Sequence, residues 1–294
     1  MNIFRRYIRM TWMLTKIALM VDLAYRPSFI MAVISKVMRV GMFLVFFNAV
    51  FNSVPIISGW TYEQTVLLVA VYSTVELITS ITFRRNLAYY FPETIHDGSL
   101  DRILLFPTNP LFWASIREID MMDFTSLVPV IALIVYAITL NGISLHVMSV
   151  IIVSLLICAS LVSIYAITLI ICSLSFWSQI GGGPGRMAEG ILKAGQIPAS
   201  VYSGMFQVIF TFILPVATIA TVPTQFLLDT VTPTRVLYSI LLSIVYLSVA
   251  MKLWKSGLQR YNSVGGYWKP LLLNQTNYVN IFAYRYKNRA LVMH

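Results

Sequence analysis

Charge is scarce in this chain. Only 11% of its 294 residues are Asp, Glu, Lys or Arg, against 58% that are hydrophobic, whereas soluble domains carry about 25% charged residues. That balance excludes an ordinary soluble domain and defines a polytopic membrane protein. Cysteine is nearly absent: Cys158 and Cys172 both fall in one apolar run, which excludes a disulfide framework or a thiolate metal site. The histidines, His96, His146 and His294, lie in different loops or the tail without ligand-like spacing, so no metal site is expected. No G-x-x-x-x-G-K-[ST] occurs. The closest run, Gly181 to Arg186, lacks the Lys and Ser/Thr that hold phosphates and Mg²⁺, and reads as a flexible junction. No nucleophile–base constellation stands out. The first 26 residues are basic and amphipathic, without the compact apolar region and cleavage site of a signal peptide.

What is present is apolar length. The expected fold is all-α, with about six spans of ~20 residues. Residues 1–27 read as an amphipathic helix in the cytoplasmic interface, with Arg5, Arg6, Arg9 and Lys16 among aromatic and aliphatic residues, ended by Pro27. Residues 28–253 form the membrane domain. The expected spans are 28–51, 61–83, 124–140, 147–174, 204–222 and 236–253, with Pro215 inside the fifth and an interfacial helix over 187–203 broken at Pro198. Residues 254–294 form a basic, aromatic tail.

The excess of basic residues, 21 Lys and Arg against 11 Asp and Glu, would suggest a nucleic-acid partner in a soluble protein. Here it is explained by the positive-inside rule, and no nucleic acid is expected. All of the basic residues except Lys36, Arg39 and Arg235 lie in or at the edge of segments assigned to one side. The outer loops before residue 200 have none. The asymmetry places both termini in the cytoplasm of a multi-pass plasma-membrane protein. The tryptophans fall near the proposed interfaces, as an aromatic belt in contact with lipid would.

The least apolar interval of the first half, 84–123, lies between the second and third spans. Within it Gly98 allows a tight turn, Leu100, Ile103, Leu104 and Leu105 form a short amphipathic patch, and Pro107 and Pro110 stop the helix. A short helix held under a membrane by two spans suits transmission of force from a soluble partner, although an ordinary cytosolic loop explains the spacing equally well. Ile95, Gly98, Leu100, Asp101, Leu104 and Pro107 resemble the I-x-x-G-x-L-D-x-x-L-x-x-P signature of the ABC-2-type permeases, the membrane subunits of ABC exporters. Three further stretches agree. Gly59-Trp60 with Glu63 resembles that family's Gly-Trp opening of the second span. Leu214-Pro215 and Pro223 resemble its pattern around the fifth. Trp254, Gly257, Leu258, Arg260, Tyr261, Ser263, Gly265 and Gly266 resemble its closing motif. Beyond Gly266 the chain has no counterpart in the pattern.

The resemblance implies the ABC-2 fold, with an N-terminal elbow helix, six spans and a cytosolic coupling helix. It implies a permease of an ATP-driven exporter that forms half of a translocation path. Its partners would be two ABC ATPase subunits, which carry the ATP and Mg²⁺, and a second permease chain, the same or different. No cofactor is expected on this chain. In the coupling segment Glu93, Asp97, Asp101 and Arg102 are expected to supply polar contacts to the ATPase and Leu100 and Leu104 apolar ones, with Ile95, Gly98 and Pro107 completing the motif. The substrate is not legible, since lipid, peptide, drug and polysaccharide carriers share this architecture.

Lys36 and Arg39 in the first span and Glu76 in the second are expensive in lipid and therefore informative. Lys36 and Glu76 each lie about eight residues from the cytoplasmic edge, ~12 Å at 1.5 Å per residue. Glu76 is expected to pair with Lys36 or Arg39; alternatively the long basic side chains snorkel to the headgroups. Phe43, Phe46, Phe47, Phe206 and Phe210 are candidate pathway-lining residues, with lipid contact as the competing reading. A second functional class, an ATP-independent secondary transporter or channel, would use Lys36, Arg39 and Glu76 as an ion pathway. Such carriers bury several mid-membrane carboxylates, and only Glu76 is placed so. A third class is a membrane phosphatidyltransferase. Residues 97–102 partly mimic its D-G-x-x-A-R motif, but Asp101 occupies the Ala position and Leu111 the place of a required Gly.

Overall fold

In lipid the backbone N–H and C=O groups have to be satisfied within the chain, and the apolar runs therefore become helices. The computed structural model describes residues 3–261 other than 25, 107, 121, 145, 179–182 and 214–215. The helices are α1 (Ile3–Ala24), α2 (Arg26–Ser53), α3 (Tyr62–Thr79), α4 (Phe91–His96), α5 (Leu100–Leu104), α6 (Pro110–Ile116), α7 (Leu127–Leu140), α8 (Val147–Ser173), α9 (Ser175–Ser178), α10 (Gly183–Lys193), α11 (Gly204–Val208), α12 (Val216–Leu227) and α13 (Pro233–Arg260). Among the described residues there is no strand, only an isolated bridge between Ile57 and Trp60.

Five stretches are long and apolar enough to cross a membrane: Ile30–Ser53, Tyr62–Arg84, Met122–Leu140, Val147–Ser178 and Pro233–Arg260. They coincide with the first four expected spans and the last. The starts follow local chemistry. Thr61 closes a capping box with Gln64 at the head of α3, and Pro233 sits in the first turn of α13, where its missing N–H has no helical partner to lose. The second stretch is the central one. Two-thirds of its most apolar window is buried, whereas none of the corresponding window of α2 is. α3 thus forms the hub, and α2 presents its sides outward, with Met31, Met42, Val45 and Phe46 all exposed.

The interval expected to hold the fifth span is built differently. Residues 204–222 do not form one described helix: α11 runs into a π-helical turn, Ile209–Ile213, and α12 begins at Val216. Leu214 and Pro215 lie outside the described residues. The preceding interval, expected to lie in the interface, instead runs along the hub. Gly185 touches Ala88, Glu189 reaches Arg84, the Leu192 carbonyl accepts from the Tyr72 hydroxyl (3.2 Å), and Ser200 accepts from Trp60 Nε1 (3.1 Å). Residues 185–200 therefore run antiparallel to α3 and its continuation, from Ala88 back to Trp60.

The largest core lies at the end of the bundle where α3 passes into the 84–123 segment. Leu87, Phe91, Leu100, Leu111, Phe176, Trp254, Leu258 and Tyr261 pack in one cluster. Gly257 is required there, because a Cβ at that position would lie 2.2 Å from the Phe176 ring. α8 and α13, which frame this cluster, pack along each other. Of the tail, only the stretch to Tyr261 is described; Ser263, Gly265 and Gly266 lie outside.

Candidate functional site

The first part of the 84–123 segment, to His96, continues α3. Two π-helical turns, Ser80–Arg84 and Asn86–Tyr90, carry the helix on into α4; such turns reset side-chain register without breaking the helix. Asn86, 1% exposed, holds the far end of the segment. Its amide donates to the Glu118 carbonyl (2.7 Å) and the Ser115 carbonyl (3.1 Å), and its Oδ1 accepts from Glu118 N–H (2.9 Å). The Tyr90 ring lies between the guanidinium groups of Arg85 and Arg117, and Arg85 pairs with Asp120 at 3.3 Å. Asn109 caps α6 through Leu111 N–H (2.9 Å), while its own N–H donates to the Tyr7 hydroxyl (3.1 Å), which ties α1 to the segment.

Gly98 turns the chain between α4 and α5 with a positive φ of 74°, a conformation natural to glycine. Asp97 accepts from Ser99 N–H at 2.8 Å. Partial burial pushes the Asp97 carboxyl up, but Ser99 and the nearby Arg102 outweigh it and hold the group below the usual carboxylate range.

The amphipathic patch points inward more than its spacing suggests. Leu100, expected to meet a partner, is 0% exposed and belongs to the cluster with Trp254 and Leu258. Ile103 is buried, and Ile95 and Leu104 are half-buried against the same cluster. Asp101, also expected to face a partner, has its Oδ1 buried beside the Tyr261 hydroxyl. Burial pushes the Tyr261 phenol up, and the Asp101 carboxylate pushes it further. The groups that do face outward are Glu93, His96, Asp97 and Arg102, with Leu105 and Phe106 beside them. Pro107 lies outside the described residues.

The intramembrane charges are paired, Glu76 with Arg39 and Lys36 with a different carboxylate. Glu76 Oε1 accepts from Arg39 Nη1 at 3.4 Å, and also from Arg84 Nη1 at 3.3 Å. Arg84 Nε lies 3.9 Å from Glu189 on α10. Lys36 does not meet Glu76; it pairs with Asp123. One carboxylate thus connects α2, the last turn before the cytosolic segment and, through Arg84, α10. Arg84 and Glu189 were missed as members because Arg84 stands at the start of the interval read as cytosolic and Glu189 in the one read as interfacial. The helical offset of eight residues from Glu76 to Arg84, just over two turns, was the available signal.

The candidate aromatic residues do not form one pocket. Phe43 lines a cleft with Lys36, Arg39 and Glu76, and Phe47 packs on Phe43 and Phe46, while Phe46 itself is 61% exposed. Phe206 and Phe210 stack with each other and with Tyr202 in a separate group. No group of His, Cys, Asp and Glu that could hold a metal ion is found among the described residues.

With this geometry in hand, the chain can be placed. The profile described as ABC-2 family transporter protein matches residues 37–265, from the middle of α2 to the closing motif. The chain belongs to that family: it is an integral membrane protein and the permease component of an ABC transporter, not itself a catalyst. Membership implies association with ABC ATPase subunits. No curated protein and no solved structure matches the chain.

Proposed function

We propose that this chain is the permease subunit of an ATP-driven exporter, working with a second permease chain and two separate ATPase subunits that bind ATP and Mg²⁺. The observation that carries the reading is the outward rim of Glu93, His96, Asp97, Arg102, Leu105 and Phe106, mounted on a core shared with α8 and α13. A mixed polar and apolar rim on a rigid base can receive a push and pass it to two spans at once. The rim lies at the bundle end rich in Lys and Arg, which is the cytoplasmic end by the positive-inside rule, with both termini on that side of the plasma membrane. α1 then acts as the elbow in the interface. Residues 183–201 supply the fifth of six crossings as a broken helix along α3, and residues 204–227 fold back from the far side. The exposed face of α2 provides the surface for the second permease chain and for lipid. The pairing of Glu76 with two arginines favours this reading over a secondary carrier, whose carboxylate has to load and release a proton.

The test is a complex purified by a tag on this chain. Cysteines introduced at Arg102 and Phe106 are expected to crosslink to a co-purifying ABC ATPase, with two permease chains per two ATPases by mass. An active complex in which neither position crosslinks, or one containing a single permease chain, overturns the proposal.

A further inference from the structure

At the end of the bundle opposite the coupling segment lies a cavity of about 690 Å³. Its frame is built by hydrogen bonds already spent. Trp60 Nε1 donates to the Ser200 hydroxyl (3.1 Å), that hydroxyl donates to the Ser58 carbonyl (3.0 Å), and Ala199 N–H donates to the Thr221 hydroxyl (3.3 Å). Into the space these contacts enclose project Gln207, Thr211, Gln225 and Arg235. Among the described residues the side chains of these four make no hydrogen bond and no ion pair.

Arg235 is the decisive member. Among the described residues it is the only Lys or Arg that lines the cavity, and no carboxylate lines it. It stands in the first turn of the 28-residue helix α13, which has no acidic residue in that turn. A cation there adds to the positive end of the helix instead of offsetting it, and neither Asp229, shortly before α13, nor Glu63, in the first turn of α3, lines the cavity. The undescribed parts of the chain supply no remedy: none of residues 179–182, 214–215 and 262–294 is Asp or Glu. A planar guanidinium presents paired donors matched to an oxyanion, and two amides and a hydroxyl around it match further donors and acceptors.

We propose that this cavity is a binding site for a phosphate or carboxylate group flanked by hydroxyls, with Arg235 on the oxyanion and Gln207, Thr211 and Gln225 on its neighbours. A glycerophosphate lipid headgroup and a soluble organic phosphate offer the same chemistry. Binding needs no ATPase. That the bound group belongs to the cargo rests on the transporter reading above.

The experiment uses the full chain alone in phosphatidylcholine nanodiscs, so that the ATPase partnership does not enter. In one arm brominated phosphatidylglycerol is titrated in and quenching of Trp60, in a protein whose other tryptophans are replaced by Phe, is followed. In the other arm glycerol phosphate is added to the buffer and quenching by the lipid is competed. Saturable quenching without competition assigns the lipid headgroup, and competition at millimolar or lower concentration assigns the soluble phosphate. Either supports the site, provided that Arg235→Gln weakens the response roughly tenfold and Gln207→Ala weakens it less. Both residues are exposed, and an unchanged melting temperature certifies the fold. Lack of saturation in both arms, or identical titrations for the parent and Arg235→Gln, overturns the proposal. Failure of the ATPase crosslinking described above leaves this binding result standing.

Discussion

The Tyr261 hydroxyl lies beside the Asp101 carboxylate, and neither Tyr261 Oη nor Asp101 Oδ1 has a hydrogen-bond partner among the described residues. Two family-signature stretches, far apart in sequence, therefore meet at one buried point. The start of α5 is locked to the end of α13 by this pair and by Leu100 packing against Trp254 and Leu258.

Removing the phenol hydroxyl takes away the polar group beside the buried Asp101 Oδ1. Tyr261→Phe is expected to lower stability by about 1–3 kcal/mol, and a double-mutant cycle with Asp101→Asn is expected to show non-additivity in the melting temperature. The raised phenol also sets a sign. The neutral form is favoured in the fold, so the stabilisation is complete below the unfolded tyrosine value of about 10 and is lost as pH rises from there towards the folded value. The parent is expected to lose more stability above pH ~10 than Tyr261→Phe. Additive effects and parallel pH profiles would refute the pairing.

Burial separates two leucines that spacing makes look alike. Leu100→Glu puts a charge into the core and is expected to abolish folded protein in size-exclusion chromatography. Leu105→Glu and Phe106→Glu, on the exposed rim, are expected to leave the stability within about 0.5 kcal/mol of the parent and to reduce transport-coupled ATP hydrolysis. A folded, active Leu100→Glu protein would disprove the arrangement.

Close approach to Ala88 makes Gly185 a sharp test of the path of α10. A Cβ there would sit 1.6 Å from the Ala88 carbonyl oxygen, which is backbone and cannot rotate away. Gly185→Ala is expected to cost at least about 1–3 kcal/mol. Gly190, with nothing within 4 Å of its Cβ position, is expected to accept Ala with a gain of about 0.4–1 kcal/mol. Melting temperatures of the two variants, measured together, check the contrast.

Among the intramembrane charges, Glu76 is shared and Arg39 is peripheral. Arg39→Gln removes a pair whose cation is 55% exposed and is expected to cost no more than about 1 kcal/mol. Glu76→Gln releases both Arg39 and Arg84 and is expected to cost more, about 1–3 kcal/mol, and to weaken coupling between ATP hydrolysis and transport. Equal melting temperatures for the two variants would contradict the shared carboxylate.

Much of this arrangement was legible because lipid imposes simple rules. Five spans follow from uninterrupted apolar length, and the similar depth of Arg39 and Glu76 follows from helical rise alone. The interval 183–227 was the least legible, for a physical reason. Hydropathy registers apolar content, so the apolar residues 204–222 looked like the span. It does not register that Glu189 on the charged helix α10 is met by Arg84, nor that Gly185 fits against Ala88 beyond the end of α3. Leu100 shows the second limit. Its amphipathic setting predicted a face for a partner, but that face is filled by residues 254–261 of the same chain, and nothing local to α5 announces that.

The pairing of Lys36 and Arg39 also constrains how the protein is made. Arg39 precedes Glu76 by 37 residues, and Lys36 precedes Asp123 by 87. At roughly 5–20 residues per second of synthesis, the first span emerges several seconds before either carboxylate. Over that interval α2 has to enter the bilayer with two uncompensated cations, at ~2.5–3.5 kcal/mol for each one near the bilayer centre. Its insertion is completed only when the second and third apolar stretches arrive. Truncations ending before Glu76 leave α2 as the least committed segment of the nascent chain, and the later helices act retroactively as its membrane anchor.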